Sequence, residues 1–237
     1  MHARLDDLAP VTLRTAIRLV WLVVVVAAVT AALSAQERPR HRRLFPPEDL
    51  GVLEGPDRDA WQMPDAVMDA LGVADGSSVA DIGAGGGWFT VRLARRVGPN
   101  GIVYAQDVQS QMIEAIRRRV DRDGLNNVRT LQGDELDPRL PADSVDAILI
   151  VDSSEFRHRV EVLKHLGPAL RPGGRIGLVE YKKDGGGPGP PQEERVDEST
   201  MIADAERADL HLIRKETFLP FQYFLILGRA SGSAETR

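Results

Sequence analysis

Residues Val79 to Thr90 read VADIGAGGGWFT, an apolar run that enters a cluster of glycines and leaves it through an aromatic pair. The apolar part predicts a short strand, and the residues after the glycines predict the start of a helix. Glycine has no side chain, so the backbone of such a loop can approach a ligand closely. The free N–H groups at a helix start favour an anionic group on that ligand. The stretch therefore predicts a ligand-binding loop between a strand and a helix.

The spacing of these glycines argues against a dinucleotide ligand. The fingerprint G-x-G-x-x-G puts Trp88 at its third glycine when it starts at Gly83, and Thr90 there when it starts at Gly85. Asp81, just before the glycines, would repel a pyrophosphate but suits a ligand that carries an ammonium group. A nicotinamide-dependent oxidoreductase is therefore the weaker alternative.

Outward from this loop, predicted strands alternate with predicted helices. The strands are Ser78–Ile82, Ile102–Asp107, Val128–Gln132, Val145–Val151, 175–181, 210–217 and 222–228. The helices are Pro64–Leu71, Trp88–Val97, 110–123 with Ser110 as its N-cap, 159–170 and 198–208, and a turn at 171–174 precedes the fifth strand. Such alternation predicts a parallel sheet with helices on both faces, and the last two strands, which have no helix between them, must pair antiparallel. We predict an α/β fold with a doubly wound, seven-stranded mixed sheet.

An acidic residue followed by G-x-G-x-G is the first motif of the class I S-adenosylmethionine-dependent methyltransferases. Asp81, Gly83, Gly85 and Gly87 match this motif position by position, and the chain resembles the family from about residue 61 to residue 228. The resemblance implies that the cofactor is S-adenosylmethionine and that the loop, with Ala84, holds its methionine part. It also implies that the acidic residue helps to hold that part.

Further matches to the family follow in chain order. Asp107 ends the second predicted strand, where the family places an acidic residue that accepts hydrogen bonds from both ribose hydroxyls of the cofactor; Val108 lies next to it. A carboxylate has two oxygens for two neighbouring donors. Gly133 and Asp134 follow the third strand, where the family often places a carboxylate near the adenine amino group. Asp152, after the fourth strand, completes the cofactor-binding residues that the resemblance implies.

The methyl acceptor is expected at the end of the fourth predicted strand. This strand is apolar throughout, so it is predicted to be central, with its carboxyl end opening into the ligand crevice. Asp152, Ser153, Ser154 and Glu155 are the polar residues there, and Glu155 and then Asp152 are the candidate acids or bases. Alternatively, Asp152 only caps the next helix and Glu155 faces solvent. His158 is predicted to be a surface residue, and a small-molecule acceptor is expected.

Composition narrows the remaining possibilities. Hydrophobic residues make up 43% of the chain and charged residues 27%, as in a folded globular domain. The net charge of −5 argues against nucleic acid as a partner. The chain has no cysteine, and its five histidines are scattered, so no metal site is predicted. Segment 184–191 reads DGGGPGPP and is predicted to be either a substrate lid or a plain flexible loop.

The N-terminal part differs in composition from the rest of the chain. Residues 19–35 read LVWLVVVVAAVTAALSA without a charge, which predicts a membrane anchor or the apolar core of a signal peptide cleaved near Ala35. A buried helix of the fold is the weaker alternative. The predicted divisions are a signal peptide or anchor (1–35), a basic, proline-marked linker (36–58), a methyltransferase domain (59–230) and a tail (231–237).

Arginines flank this segment on both sides, so the positive-inside rule gives only a slight preference for a cytoplasmic domain. We expect the chain to be membrane-associated through residues 19–35, or exported after cleavage. Two alternatives to a methyltransferase stay open at this point. One is a membrane-attached protein that binds S-adenosylmethionine without catalysis, and the weaker one is the NAD-dependent oxidoreductase. The sequence does not indicate the oligomeric state.

Overall fold

The computed structural model describes residues 45–46, 50–51, 55–153 and 156–229. Its strands are β1 (Ser78–Ile82), β2 (Ile102–Asp107), β3 (Val128–Gln132), β4 (Val145–Val151), β5 (Leu170–Tyr181), β6 (Leu210–Glu216) and β7 (Gln222–Arg229). Its α-helices are α1 (Arg58–Gln62), α2 (Pro64–Leu71), α3 (Trp88–Val97), α4 (Ser110–Arg122), α5 (Arg159–Ala169) and α6 (Glu198–Glu206), and Gln192–Glu194 form a 3-10 turn. The predicted ends of these elements agree with the structure to within two residues, except at the start of β5.

The strands form one seven-stranded sheet in the order β3-β2-β1-β4-β5-β7-β6. The pairs among β1 to β5 are parallel, whereas β7 is antiparallel to both β5 and β6. The predicted doubly wound mixed sheet is thus confirmed, including the antiparallel pairing of the last two strands. The hairpin is placed so that the last strand, β7, lies between β5 and β6.

Helices cover both faces of the sheet. On one face, α2 and α3 contribute Met68 and Leu93 to the core, and on the other α5 and α6 contribute Leu166 and Met201. Each of these side chains is at most 2% exposed, and burial of a side chain of this size stabilises the fold by about 1.5–3 kcal/mol. The central position predicted for β4 is confirmed, because this strand lies between β1 and β5.

Three local features differ from the prediction. The turn predicted at 171–174 lies within β5 as an irregularity, because Leu170 pairs with Val145 and the next paired residue is Arg175. Gln109, not Ser110, is the N-cap of α4, and it makes no side-chain capping bond. The five-residue helix α1 was not predicted, since a single turn is too short to show an apolar period.

The topology fixes where a ligand can bind. The chain runs outward from β1 to β2 and β3 and then returns to β4 on the other side of β1, so the strand order reverses between β1 and β4. In such sheets ligands bind beyond the carboxyl ends of the strands at this reversal. The glycine loop follows β1, and the predicted acceptor residues follow β4, so both lie at this position.

The predicted membrane segment, 19–35, lies outside the described residues. Among the helices that the structure describes, none combines the length and the apolar character needed to cross a bilayer.

Candidate active site

Backbone conformation explains the glycines after β1. Gly83, Gly85 and Gly87 have φ angles of 67°, 54° and 81°, in the left-handed region that side chains disfavour. Two backbone bonds of 2.9 Å hold the loop: the Ala84 N–H donates to the Gln106 carbonyl, and the Gly87 N–H donates to the Ala84 carbonyl. The loop therefore follows a fixed path from β1 into α3.

The three glycines have different surroundings. A Cβ atom on Gly83 would lie 3.3 Å from the Phe156 ring, and one on Gly87 would lie 3.2 Å from Ile116. Gly85 instead has no described atom within 4 Å of that position. Gly83 and Gly87 thus allow close packing within the protein, whereas Gly85 presents bare backbone to open space, as close approach of a ligand requires.

Asp107 joins this loop to the end of β2. Its Oδ2 atom accepts a hydrogen bond of 3.0 Å from the Gly85 N–H, and its Oδ1 atom accepts one of 2.9 Å from the Gln109 N–H on the far side of Val108. Burial raises the pKa of Asp107, although these backbone bonds act in the opposite direction. An ionised carboxylate has about four lone-pair sites, so Asp107 can keep both bonds and still accept donors from a ligand.

Asp81 lies beneath the loop rather than on its surface. Asp81 is 3% exposed, and its Oδ2 atom accepts a 2.6 Å hydrogen bond from the Thr90 hydroxyl on α3. Burial raises the pKa of Asp81 to about 6, against the opposing effects of the Thr90 hydrogen bond and the Arg58 charge. Asp81 therefore fastens β1 to α3, and its predicted contact with the cofactor stays a prediction.

The predicted adenine residues lie in a tight turn after β3. A Cβ atom on Gly133 would lie 2.5 Å from the Gln106 amide nitrogen, so no larger residue fits there without movement. The Asp134 Oδ1 atom accepts hydrogen bonds of 2.9 Å from the N–H groups of Leu136 and Asp137, and these bonds lower the pKa of Asp134. Asp134 thus stabilises a turn, and its contact with adenine remains a prediction.

At the predicted acceptor site, the residues after β4 bond to β5. Asp152 is half-buried with a φ of 58°, and its N–H donates to the Val179 carbonyl at 2.9 Å. The N–H and the hydroxyl of Ser153 both donate to Oε1 of Glu180. These two hydrogen bonds to one carboxyl oxygen fix the course of the chain directly after β4. The next two residues, 154–155, lie outside the described residues.

Glu180 is a buried carboxyl group that sequence reasoning missed. It is 1% exposed, and burial, followed by the charge of Asp152, raises the pKa of Glu180 to about 8. In the sequence it is one acidic residue within the apolar run of β5. An acidic residue in an otherwise apolar strand was the sequence feature that could have identified it. The predicted acid or base Glu155 lies outside the described residues, and His158 is exposed, in agreement with its predicted surface position.

Helix α1 brings further groups to the site that were not predicted. The Arg58 guanidinium carbon lies 4.0 Å from the ring centroid of Trp88, the first residue of α3. The Trp61 ring centroid lies 6.1 Å from that of Tyr181, at the end of β5, and 6.3 Å from that of Phe221. The helix therefore links the glycine loop to the carboxyl end of β5.

The glycine- and proline-rich segment 184–191 is built around one arginine. The Arg195 guanidinium donates to the carbonyl oxygens of Lys182, Gly185, Gly186, Pro188 and Pro190. A Cβ atom on Gly189 would lie 2.6 Å from the Tyr181 ring, so the segment packs closely against the end of β5. The segment has a defined course beside the site, and its role as a lid stays a prediction.

Two further features of the described residues bear on where a ligand can bind. The described residues contain no group of three or more histidine, aspartate or glutamate side chains arranged to hold a metal ion. A separate surface cleft, lined by residues that include Arg95, Gly101, Asn127 and Arg129, lies at the amino ends of β2 and β3. Because ligands in such sheets bind at the carboxyl ends, this cleft is not the predicted crevice.

The doubly wound sheet, the acidic glycine-loop motif and Asp107 together define a Rossmann-like cofactor-binding domain. Residues 79–174 match a family model described as a methyltransferase domain. A solved S-adenosylmethionine-dependent methyltransferase from Aquifex aeolicus superposes with a TM-score of 0.74 at 28% identity, covering 78% of this chain and 98% of that one.

Curated relatives agree with this family. A ubiquinone/menaquinone biosynthesis C-methyltransferase from Pseudomonas putida is 29% identical over 134 residues, which are 56% of this chain and 52% of the relative. Nocamycin O-methyltransferase from Saccharothrix syringae is 32% identical over 126 residues, 53% of this chain and 42% of the relative. The chain spans about half the length of the curated relatives it matches. Residues 79–174 are thus a methyltransferase domain, and the predicted resemblance to the class I S-adenosylmethionine-dependent methyltransferases, with S-adenosylmethionine as the cofactor, is confirmed.

The buried Asp81 carboxyl gives a pH-dependent stability. Its pKa in the folded chain is about 6, above the ordinary value of 3.8, so the folded state loses stability as the pH rises between these values. Asp81→Asn removes this cost, and we expect its free energy of unfolding at about pH 8 to exceed that of the parent by about 1–3 kcal/mol. The difference should shrink towards about pH 4 in denaturant titrations, because both states then hold the proton.

The exposed Asp121→Asn variant on α4 is the control and should change the free energy of unfolding by no more than about 0.5 kcal/mol. An Asp81→Asn chain that is less stable than its parent at high pH would mean that the carboxylate is ionised and stabilised by its neighbours.

Proposed function

We propose that this chain transfers the methyl group of S-adenosylmethionine to a small-molecule acceptor. The observation that carries the proposal is the glycine loop at the strand-order reversal, with Gly85 open to the crevice and Asp107 bonded beneath it. The family assignment supports the cofactor. The names of the two curated relatives, which refer to quinone biosynthesis and to nocamycin, support an acceptor of low molecular weight.

Methyl transfer requires little covalent chemistry from the protein itself. The cofactor supplies an electrophilic methyl group: a lone pair of the acceptor forms the new bond while the sulfur–carbon bond breaks, which leaves S-adenosylhomocysteine. The protein contributes mainly proximity and alignment of the two reactants. Gly85 allows the backbone to lie close to the cofactor, and Asp107 holds that backbone in place. A base is required only when the acceptor arrives with a proton on its attacking atom.

The carboxyl groups near the end of β4 differ in exposure, and this difference indicates a different role for each. Glu180 is fully buried behind Ser153, so it acts as a positioning residue for the chain after β4 and does not reach an acceptor. Asp152 is half-buried and lies directly after β4, at the edge of the sheet where ligands bind in such folds. Glu155 follows three residues later, and we retain it as the proposed general base.

Cofactor choice is the direct test of the proposal. The full chain should bind S-adenosylmethionine and not NAD in titration calorimetry. Asp107→Ala should weaken that binding by about 1–3 kcal/mol, because it leaves donors on the loop and on the ligand unpaired. Asp121→Ala, an exposed change on α4, should leave the affinity unchanged. Tight binding of NAD without any response to S-adenosylmethionine would contradict the proposal.

The role of Glu155 is tested by turnover. Glu155→Gln should lower the formation of S-adenosylhomocysteine from a small-molecule extract by about 10²–10⁴-fold, the range for a positioned acid or base. Its affinity for the cofactor should stay the same. Glu193→Gln, in the exposed 3-10 turn, is the control. A rate equal to that of the parent chain would remove Glu155 from the mechanism.

We also propose that residues 19–35 target the chain to a membrane, on the strength of their uninterrupted apolar sequence. Fractionation should place the native protein with membranes, or N-terminal sequencing should find a start near Gln36 after cleavage and export. Full-length chain recovered wholly in the soluble fraction would exclude both forms of the proposal. A membrane-attached protein that binds the cofactor without catalysis predicts the same targeting but no turnover with any acceptor.

A further inference from the structure

Glu180 lies beside the residues where the acceptor is expected. It follows Val179, which pairs with Val151 at the end of β4, so it belongs to the same edge of the sheet as Asp152. Its Oε1 atom accepts hydrogen bonds from both the N–H and the hydroxyl of Ser153. A protonated carboxyl group carries its proton on one oxygen and keeps the other as an acceptor. Because both donors from Ser153 meet Oε1, the other oxygen is left to carry a proton.

A second carboxyl group, that of Asp152, acts on Glu180 from the end of β4. After burial, the negative charge of Asp152 is the influence that raises the pKa of Glu180 most, to about 8. Burial, followed by the charges of Asp152 and Glu180, also raises the pKa of Tyr181. The two carboxyl groups are thus close enough for each to affect whether the other holds a proton.

The charged and polar groups near Glu180 on α5 and β7 have other partners. The charge of Arg159, at the start of α5, opposes the rise in the pKa of Glu180. However, the Arg159 guanidinium pairs with Asp204 of α6, through Nε at 3.1 Å and Nη2 at 3.0 Å from one carboxylate oxygen. The Tyr223 hydroxyl, on β7, donates to the Val196 carbonyl at 3.0 Å. These groups therefore compensate the charge of an ionised Glu180 only in part.

Two carboxylates this close are costly to ionise together, so one of them keeps its proton. Glu180 is fully buried whereas Asp152 is half-buried, and burial penalises the charge more strongly at Glu180. We infer that Glu180 positions the acceptor site in its protonated form, so that it and Asp152 carry one negative charge between them. Ionisation of Glu180 places a second charge behind Ser153 and disturbs the chain that leads to the acceptor site. This inference rests on the proposed function.

Turnover by the full chain and by its Glu180→Gln variant tests the inference. The glutamine amide has the size of the protonated carboxyl group, its oxygen can accept both bonds from Ser153, and it cannot ionise. Both chains are assayed at each pH in the same small-molecule extract, so ionisation of the acceptor affects them equally. The rate of S-adenosylhomocysteine formation by the variant, divided by that of the parent, should rise about 10-fold from about pH 7 to about pH 9, as the parent loses its proton. Glu193→Gln, in the exposed 3-10 turn, is the control, and its ratio should stay constant.

A titration that needs no acceptor gives a second measurement. The amide nitrogen signal of residue 153, followed by NMR on the full chain in detergent, should change with a midpoint at about pH 8, and it should not titrate in Glu180→Gln. Asp152→Asn should move the midpoint to lower pH, because it removes a neighbouring negative charge. Ser153→Ala should move it to higher pH, because it removes a hydroxyl bond that favours the ionised form.

The shared charge is overturned if residue 153 does not titrate in the parent chain, or if neither Asp152→Asn nor Ser153→Ala moves the midpoint. These results decide the matter even if Glu180→Gln does not fold. The expected titration together with a constant rate ratio for Glu180→Gln overturns the positioning role. A parent chain that forms no S-adenosylhomocysteine with any extract contradicts the proposed function, while the shifts of the midpoint still support or overturn the shared charge.

Discussion

A single hydrogen bond, from the Gly85 N–H to the Asp107 carboxylate, joins the ends of the two strands on which the proposed cofactor site is built. It requires left-handed backbone on the β1 side and a short buried acid on the β2 side. The other parts of the site are placed relative to it. α3 starts where the loop ends, and α4 starts beyond Asp107, whose second oxygen accepts the Gln109 N–H. Asp107 therefore connects the loop that precedes α3 to the residue that precedes α4.

The sequence predicted the sheet, most helix ends and the glycine loop because each is encoded by neighbouring residues. Apolar runs such as Val145–Val151 mark buried strands wherever they occur, and left-handed glycines are local requirements. The missed features depend on distant contacts. Helix α1 is positioned through the pairing of Gln62 with Gln222, 160 residues away. The role of Glu180 on β5 becomes visible only through its hydrogen bond with Ser153, which follows β4.

Buried carboxyl groups are concentrated at the carboxyl ends of three strands in the parallel part of the sheet. Asp81 on β1, Asp107 on β2 and Glu180 on β5 are each at most 6% exposed, and burial is the main reason why the pKa of each is raised. A domain selected for stability alone would favour apolar residues at such positions. Carboxyl groups with raised pKa values that cluster at one end of a sheet are instead typical of a functional site. The sheet thus gives up stability at the end where sheets of this kind bind their ligands.

The way in which Arg195 holds segment 184–191 has a consequence for how this protein can diverge. Five carbonyl oxygens share one guanidinium, and an added Cβ atom on Gly187 or Gly189 would lie within 3 Å of the Phe221 or Tyr181 ring. Apart from these two glycines, the side chains of the segment contribute little to its shape and are freer to vary. Loss of the arginine, in contrast, releases all five at once. Related enzymes can therefore change the surface beside Tyr181 gradually while they keep the arginine, and abruptly when they lose it. A change in the Arg195 codon would thus reshape the whole segment in a single mutational step.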